Sequence, residues 1–372
     1  SLWLPPTGFT MDYLRAEIKP GGTSFYCMAG GNGMKMYGKI HYKEITKLFR
    51  SYAIDNPRAF QYKKELTEKQ LSRPLAGPYS TPMIAIVTDH AFATLITTEA
   101  KKQELIDKGI IKSDSKHIYI SGASHAVHAE YFYQKKGMAS PASIAAEKAF
   151  SLSGLKREDV EYAWIYDCFT GMIIHQASLY FGIPGKEVAE ALKHGNIKNG
   201  KKEFPINFGG GILNYQAAMS LSGVTGLIDV TSQYGLAVNP IPKTLSTPPS
   251  VSLLGGNGGI DSINSVIIFS TNDNNYPTRS PQISRPIHIN EVDAKEGEIC
   301  EILSISTVHF NAGGDKKTPY VLCAAQTERG SMILTNLYDE NEKEILTSEG
   351  LSFKQTKVQL KNINGLLQSV KL

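Results

Sequence analysis

From residue 83 to residue 270 short apolar runs of β type alternate with segments that start and stop like helices, and this alternation limits the possible folds most. Runs of strand character stand at 83–87, 93–98, 117–121, 160–166, 250–254 and 262–270. Between them, Ser140 supplies a capping hydroxyl and Pro141 a first helical position for a helix that ends at Gly154. Further helical stretches are expected over 171–180, 184–193 and 217–230. Strands separated by helices predict a largely parallel or mixed sheet covered by helices.

The flanks differ from this centre. Residues 1–80 read as helices and loops without strands; Ile45, Leu48, Phe49 and Ala53 mark one helical face, and Asn56-Pro57 ends it. Residues 75–82 (LAGPYSTP) form a turn-rich connector, and 271–287 are polar and proline-bearing, as linkers are. Beyond lie five strand-type runs, 297–307, 320–327, 331–337, 351–360 and 366–372, which suit a small closed barrel of OB type. The expected units are therefore 1–80, 81–276, a linker at 277–287, and 288–372.

Charge excludes some functions. Lysine and arginine total 39 against 35 acidic residues, and the acidic stretch 339–344 in the barrel would repel phosphate, so no nucleic acid is expected. No run of about 18 apolar residues suggests a membrane span. The opening SLWLPPTGFTMDYL lacks a secretory layout and an initiator Met, which leads to the expectation of a processed or incomplete chain. Cys27, Cys168, Cys300 and Cys323 form no C-x-x-C pair, which points to reduced thiols and a cytoplasmic protein rather than a zinc ribbon.

Specific segments carry a resemblance. LSGLKREDVEYAWIYDCFTGMIIHQASLYFGI, PINFGGGILNYQAAMSLSGVTG and SLLGGNGGIDSINSVIIFS resemble, in order, three elements of the C-terminal half of the thiolase superfamily. DNPRAF and IVTDHAFATLITT are similar to its sterol-carrier-linked branch, and TPYVLCAAQTERGSMILTNLY resembles the OB-fold domain fused to or paired with such thiolases. The resemblance implies a layered α/β/α fold, with 1–80 as loop region and 81–276 as C-terminal half, followed by an OB-like barrel. It also implies coenzyme A or an acyl-CoA as ligand, acetyl-CoA acetyltransferase-like chemistry in lipid metabolism, and a homodimer or larger assembly. The family's nucleophilic cysteine lies in an N-terminal half, so the resemblance further implies such a half on another or a cleaved chain.

Departures from the family pattern shape the functional expectation. Its Gly-His-Pro histidine falls at Ala217 and its second cysteine at Leu253, and neither replacement handles a proton. Its oxyanion-side Asn or His falls at Tyr166, whose hydroxyl still donates a hydrogen bond. Tyr166, Asp167, Cys168 and Tyr215 are the chemical candidates; the two tyrosines could polarise a carbonyl as thiolase-fold aldolases are thought to do, and Cys168 reads first as a small buried hydrophobe, as free cysteines usually are, and second as a thiol beside the acyl site. Gly209, Gly210, Gly211, Gln216, Gly255, Gly256, Asn257 and His90 are the candidates for bordering an acyl-thioester pocket, with His90 replacing a glycine. GGNGG runs into a strand, not a helix, which argues against a nucleotide loop. His125, His128 and Glu130 make only a weak metal pattern, so neither a metal nor a tightly bound cofactor is expected. The expectation is a pocket that keeps its glycine rim and has lost its acid/base residues, hence an acyl-CoA-binding protein without ordinary turnover. The alternatives are an acyltransferase or CoA-thioester retro-aldolase completed by the absent half, and a non-catalytic scaffold whose barrel recruits a partner.

Overall fold

The computed structural model describes residues 41–76, 78–127, 140–200, 202–218, 222–258, 261–272, 294–308, 319–330, 332–346, 357–364 and 366–372. Its central sheet has the order β3–β8–β7–β4, with β3 (Tyr119–Val127), β4 (Tyr162–Ile165), β7 (Val251–Gly258) and β8 (Ile263–Ser270). β8 is antiparallel to both β3 and β7, whereas β4 runs parallel to β7, and Ile206 adds a parallel bridge to Ala163 beyond β4. All four residues of β4 are fully buried, so the run is apolar without alternation, as a strand covered on both faces must be.

Helix α4 (Ala142–Ser153) packs along β3 and β8, and its buried Ala142, Ala145, Ala146 and Ala149 allow a close approach. The approach is tight enough that a side chain at Gly122 would strike the Ala149 carbonyl. α5 (Thr170–Phe181) lies beside α4, while α8 (Gly223–Gln233) packs along β7 and β4. α1 (Tyr42–Ala53) buries Ile45, Phe49 and Ala53 at helical spacing against α5 and the short α7 (Gly211–Asn214). Burying such a Phe or Ile stabilises by roughly 1.5–3 kcal/mol, which explains why α1 belongs to the same core as the sheet.

A second core fills a five-stranded barrel. β9 (Ile299–Val308) pairs with both β10 (Tyr320–Thr327) and β12 (Lys357–Ile363), β11 (Met332–Tyr338) pairs with β10, and β13 (Leu366–Lys371) closes the ring by lying parallel to β11 and antiparallel to β12. Cys300, Ile302, Ile305, Val321, Cys323, Ala325, Leu337, Val358 and Leu360 form its interior. The closed ring is the expected OB-like barrel. A small hairpin joins the two cores. β1 (Pro74–Ala76) pairs through Ala76 with Val308, while Tyr79 of β2 (Tyr79–Ser80) is buried between Tyr42 and Phe169, with ring centroids at 5.2 and 5.4 Å.

Several local expectations are corrected. Strands do occur before residue 80, because the edge of β9 offers β1 a partner. The strands expected at 83–87 and 93–98 do not form: among the described residues this stretch makes one bridge, Ile84 to Phe169, and Leu95 and Ile96 are 87% and 68% exposed. β-branched composition favours a strand only where a neighbour can pair with it. The stretch runs into α3 (Glu99–Asp107), which buries no residue. The helix expected over 217–230 begins only at Gly223, as α8, with the separate short α7 lying before residue 217, and the strand expected over 351–360 is described only as β12. The glycine segment 255–258 is not a loop but the end of β7, where the Tyr180 ring takes the space a side chain at Gly255 would need. His128, Glu130, Cys27 and the linker expected at 277–287 lie outside the described residues.

Candidate functional site

Three segments meet at the C-terminal end of β4: the turn 165–169, the glycine segment 207–217 and the irregular stretch 83–90. Asn207 makes the first connection. Its backbone turns through φ 49°, its Oδ1 accepts the Ile165 N–H at 2.8 Å, and its Nδ2 donates to the Ile165 carbonyl at 2.8 Å. This two-bond clasp sets the glycine run against the end of the strand. Asp229 anchors the same run, accepting the Gly209 N–H at 2.7 Å and the Tyr162 hydroxyl; burial pushes its carboxyl up to about 7.

Asp167 is fully buried and accepts the Ile212 N–H at 2.8 Å at the start of α7. Hydrogen-bond donors favour its ionised form, but loss of water dominates and pushes the carboxyl up to about 8. Gly211 is required beside it: φ is 65°, and an added Cβ would fall inside the Asp167 carboxylate.

Tyr166 donates its N–H to the Gly255 carbonyl at 3.0 Å, which joins the turn to the glycine end of β7. Its phenol is in hydrogen-bond contact with Ser222 and Cys168, and burial raises it well above the usual tyrosine range. It therefore stays an O–H donor at neutral pH rather than a phenolate. Cys168 is buried, and its carbonyl accepts the Ala85 N–H at 2.9 Å.

The stretch 83–90 then reaches position 217. Thr88 holds Ala217 twice, donating its N–H to the Ala217 carbonyl and accepting the Ala217 N–H at Oγ1, each at 3.0 Å. His90 is two residues further on; its Nδ1 is buried without a partner among the described residues, and burial lowers its pKa. Tyr215 faces another neighbour. It hydrogen-bonds Arg58, and burial raises it, while Gln216 donates from Nε2 to the Arg58 carbonyl at 2.9 Å. Arg50 supports this side from α1, donating to Asn214 Oδ1 at 2.7 Å and to the Lys64 carbonyl at 2.8 Å; burial lowers it to about 10.

The structure thus brings Tyr166, Asp167 and Cys168 together around Gly211, with Gly255 alongside, and ties Tyr215 and Gln216 to Arg58. Leu253 is fully buried inside the sheet between Ala163 and Ile268, and Ala217 is 4% exposed. Among the described residues no group of three His, Cys, Asp or Glu could hold a metal, and His125 lies on the edge strand β3. Ser222, Thr88, Arg58 and Asp229 were not legible in the sequence. Each is a single polar residue remote from the motifs, and only folding supplies its neighbour. Chemically, a neutral phenol flanked by a hydroxyl and a thiol suits hydrogen bonding to a carbonyl oxygen or to charge developing on it.

Comparison with known proteins places this geometry in context. Residues 123–271 match the family described as thiolase C-terminal domain-like. An acetyl-CoA acetyltransferase of Methanocaldococcus jannaschii is 28% identical over 220 residues, covering 57% of this chain and 53% of the relative. The chain thus spans about half the length of that curated relative. Among solved structures, a monomeric SCP2-thiolase like protein type 1 from Mycobacterium smegmatis superposes with a TM-score of 0.68 at 16% identity, covering 96% of this chain and 75% of that one. An Ltp2-ChsH2(DUF35) aldolase superposes with a TM-score of 0.56 at 19% identity, covering 72% and 68%. At such identities the two structures establish similarity of fold. No helix among the described residues is long and apolar enough to cross a membrane.

Proposed function

Because residues 123–271 match the thiolase C-terminal domain-like family, we propose that the chain binds coenzyme A or an acyl-CoA beside Tyr166 and, by itself, does not perform thiolase turnover. One observation carries the reading: at the two positions where the family resemblance assigns proton-handling groups stand Ala217, held to Thr88 through its backbone, and Leu253, sealed in the sheet. Methyl and isobutyl groups cannot relay protons, whereas the glycine rim at Gly209, Gly210, Gly211, Gly255 and Gly256 is retained. Tyr166 is the donor to the thioester carbonyl in this proposal. Cys168 lies beside it, Asp167 supports the turn as a neutral acid, and Tyr215, Gln216, Asn257 and His90 border the ligand. A cytoplasmic setting, a role in lipid metabolism and a homodimer or larger assembly belong to the same proposal.

Calorimetric titration with acetyl-CoA tests it. Saturable binding tighter than millimolar is expected, with Tyr166→Phe weakening it about tenfold, the value of one well-placed hydrogen bond to a polarised carbonyl. No heat at millimolar ligand would leave the scaffold alternative in its place.

A second reading is favoured by the exposed stretch 86–96. Ile86, Val87, Leu95 and Ile96 are 44%, 49%, 87% and 68% exposed in a stretch without regular secondary structure, an apolar run of strand composition left without a sheet. On this reading a thiolase-type N-terminal half on another or cleaved chain pairs there and contributes a nucleophile. Acyl transfer or retro-aldol cleavage of a CoA thioester then belongs to the assembly and not to this chain.

A further inference from the structure

Behind the glycine end of β7 sits a buried carboxylate that no part of the proposed pocket uses. Asp261, 5% exposed and at φ 63°, lies in the turn between β7 and β8. Its Oδ1 accepts from Ser140 Oγ at 2.9 Å, Gln176 Nε2 at 2.8 Å, Asn257 Nδ2 at 3.0 Å and Asn264 Nδ2 at 2.9 Å, and its Oδ2 meets His175 Nε2 at 3.0 Å. These partners come from the entry to α4, two residues before its start, from α5, and from both strands of the hairpin. One side chain therefore ties four elements together.

A carboxylate with five donors around it only accepts, so each amide must turn its NH2 end inward. The carbonyl ends then face outward. For Gln176 and Asn264 that suits Tyr180, whose hydroxyl stands within hydrogen-bond reach of both and of the Gly256 carbonyl at 3.2 Å and shares its single proton among them. For Asn257 it does not: its Oδ1 is buried with no partner among the described residues, and the Nδ1 of His175 is in the same condition. The hydrogen bonds from Asn257 to Asp261 and between Tyr180 and the Gly256 carbonyl hold the adjoining backbone. The segment so held is Gly255 to Asn257, whose first carbonyl receives the Tyr166 N–H.

We infer that Asp261, backed by His175, is a positioning residue that fixes the glycine end of β7 against Tyr166 and thereby sets the shape of the ligand site. The inference rests on the acyl-CoA reading for its functional consequence, but its geometric part stands by itself. Asp261→Asn keeps the shape and places an amide donor among donors. His175→Leu removes the Oδ2 contact without changing any partner of Oδ1 and serves if the first variant folds poorly.

Two measurements on the full chain decide the matter. NMR amide exchange reads the Tyr166 N–H, and calorimetry reads acetyl-CoA affinity. Exchange at Tyr166 is expected to rise at least tenfold in both variants, with amides of the barrel strand β10 unchanged, and affinity is expected to fall about tenfold. Unchanged protection of the Tyr166 amide would overturn the inference whatever the affinity does. Wild-type protein that binds no acetyl-CoA would sink the acyl-CoA reading instead, and faster exchange in the variants would then still support the positioning role. Loss of protection with unaltered affinity in a protein that does bind would overturn the link to the ligand.

Discussion

Gly211→Ala is expected to destabilise the chain by about 3 kcal/mol or more, a large share of the roughly 5–15 kcal/mol that holds a typical domain folded. Two costs combine. A residue other than glycine at φ 65° loses about 1–2 kcal/mol. The new methyl group must also displace the Asp167 carboxylate, which is buried and holds the Ile212 N–H; leaving that N–H unpaired costs a further ~1–3 kcal/mol. Gly182→Ala separates the two costs, because Gly182 has φ 69° but open space around its missing Cβ. Urea unfolding should show Gly182→Ala losing only the backbone part. Equal losses in the two variants would mean that Asp167 does not pack against Gly211 as described.

Stability is expected to fall as pH rises from 5 to 8, and two buried acids cause it. Burial pushes Asp229 up to about 7 and Asp167 up to about 8 from an ordinary value of 3.8. Over this interval the folded chain keeps protons that the unfolded chain has already released, so each added pH unit favours unfolding. The stability from these groups is fully present below the ordinary value and is lost as pH climbs through about 7 and then about 8. While a group is protonated in the fold and ionised outside it, the slope is about 1.4 kcal/mol per pH unit. Asp167→Asn can offer its carbonyl to Ile212 and its amide to the side where Asp167 Oδ2 has no partner among the described residues, so it should remove one proton's share of the slope. Thermal midpoints of the two proteins at pH 5 and 8 check this: the variant should lose less over the interval. An identical loss would show that Asp167 is ionised in the folded chain.

The architecture was legible where the evidence was local or periodic. Ser140-Pro141 and Gly154 bracket α4 closely, Ile45, Phe49 and Ala53 are the buried face of α1, and five short runs make the closed barrel. Failures came where a partner decides the outcome. The run 93–98 has strand composition yet finds no neighbour among the described residues, and β1 forms only because β9 lies beside it. The turn at Tyr166, Asp167 and Cys168 could be found because its residues are contiguous and the resemblance covers them. Ser222 and Thr88 could not, since a lone hydroxyl carries no signal until the fold delivers it to Tyr166 or Ala217. The Asp261 network was hidden for the same reason: its members are spread from residue 140 to residue 264, with no spacing to betray them.

The most direct measurement is cleavage of acetoacetyl-CoA in the presence of coenzyme A, followed by loss of the enolate absorbance with the purified chain alone. The account predicts no turnover above the uncatalysed rate at any protein concentration, and turnover only once a second polypeptide is added if the second reading holds. Turnover by the isolated chain, abolished by Cys168→Ala, would contradict it.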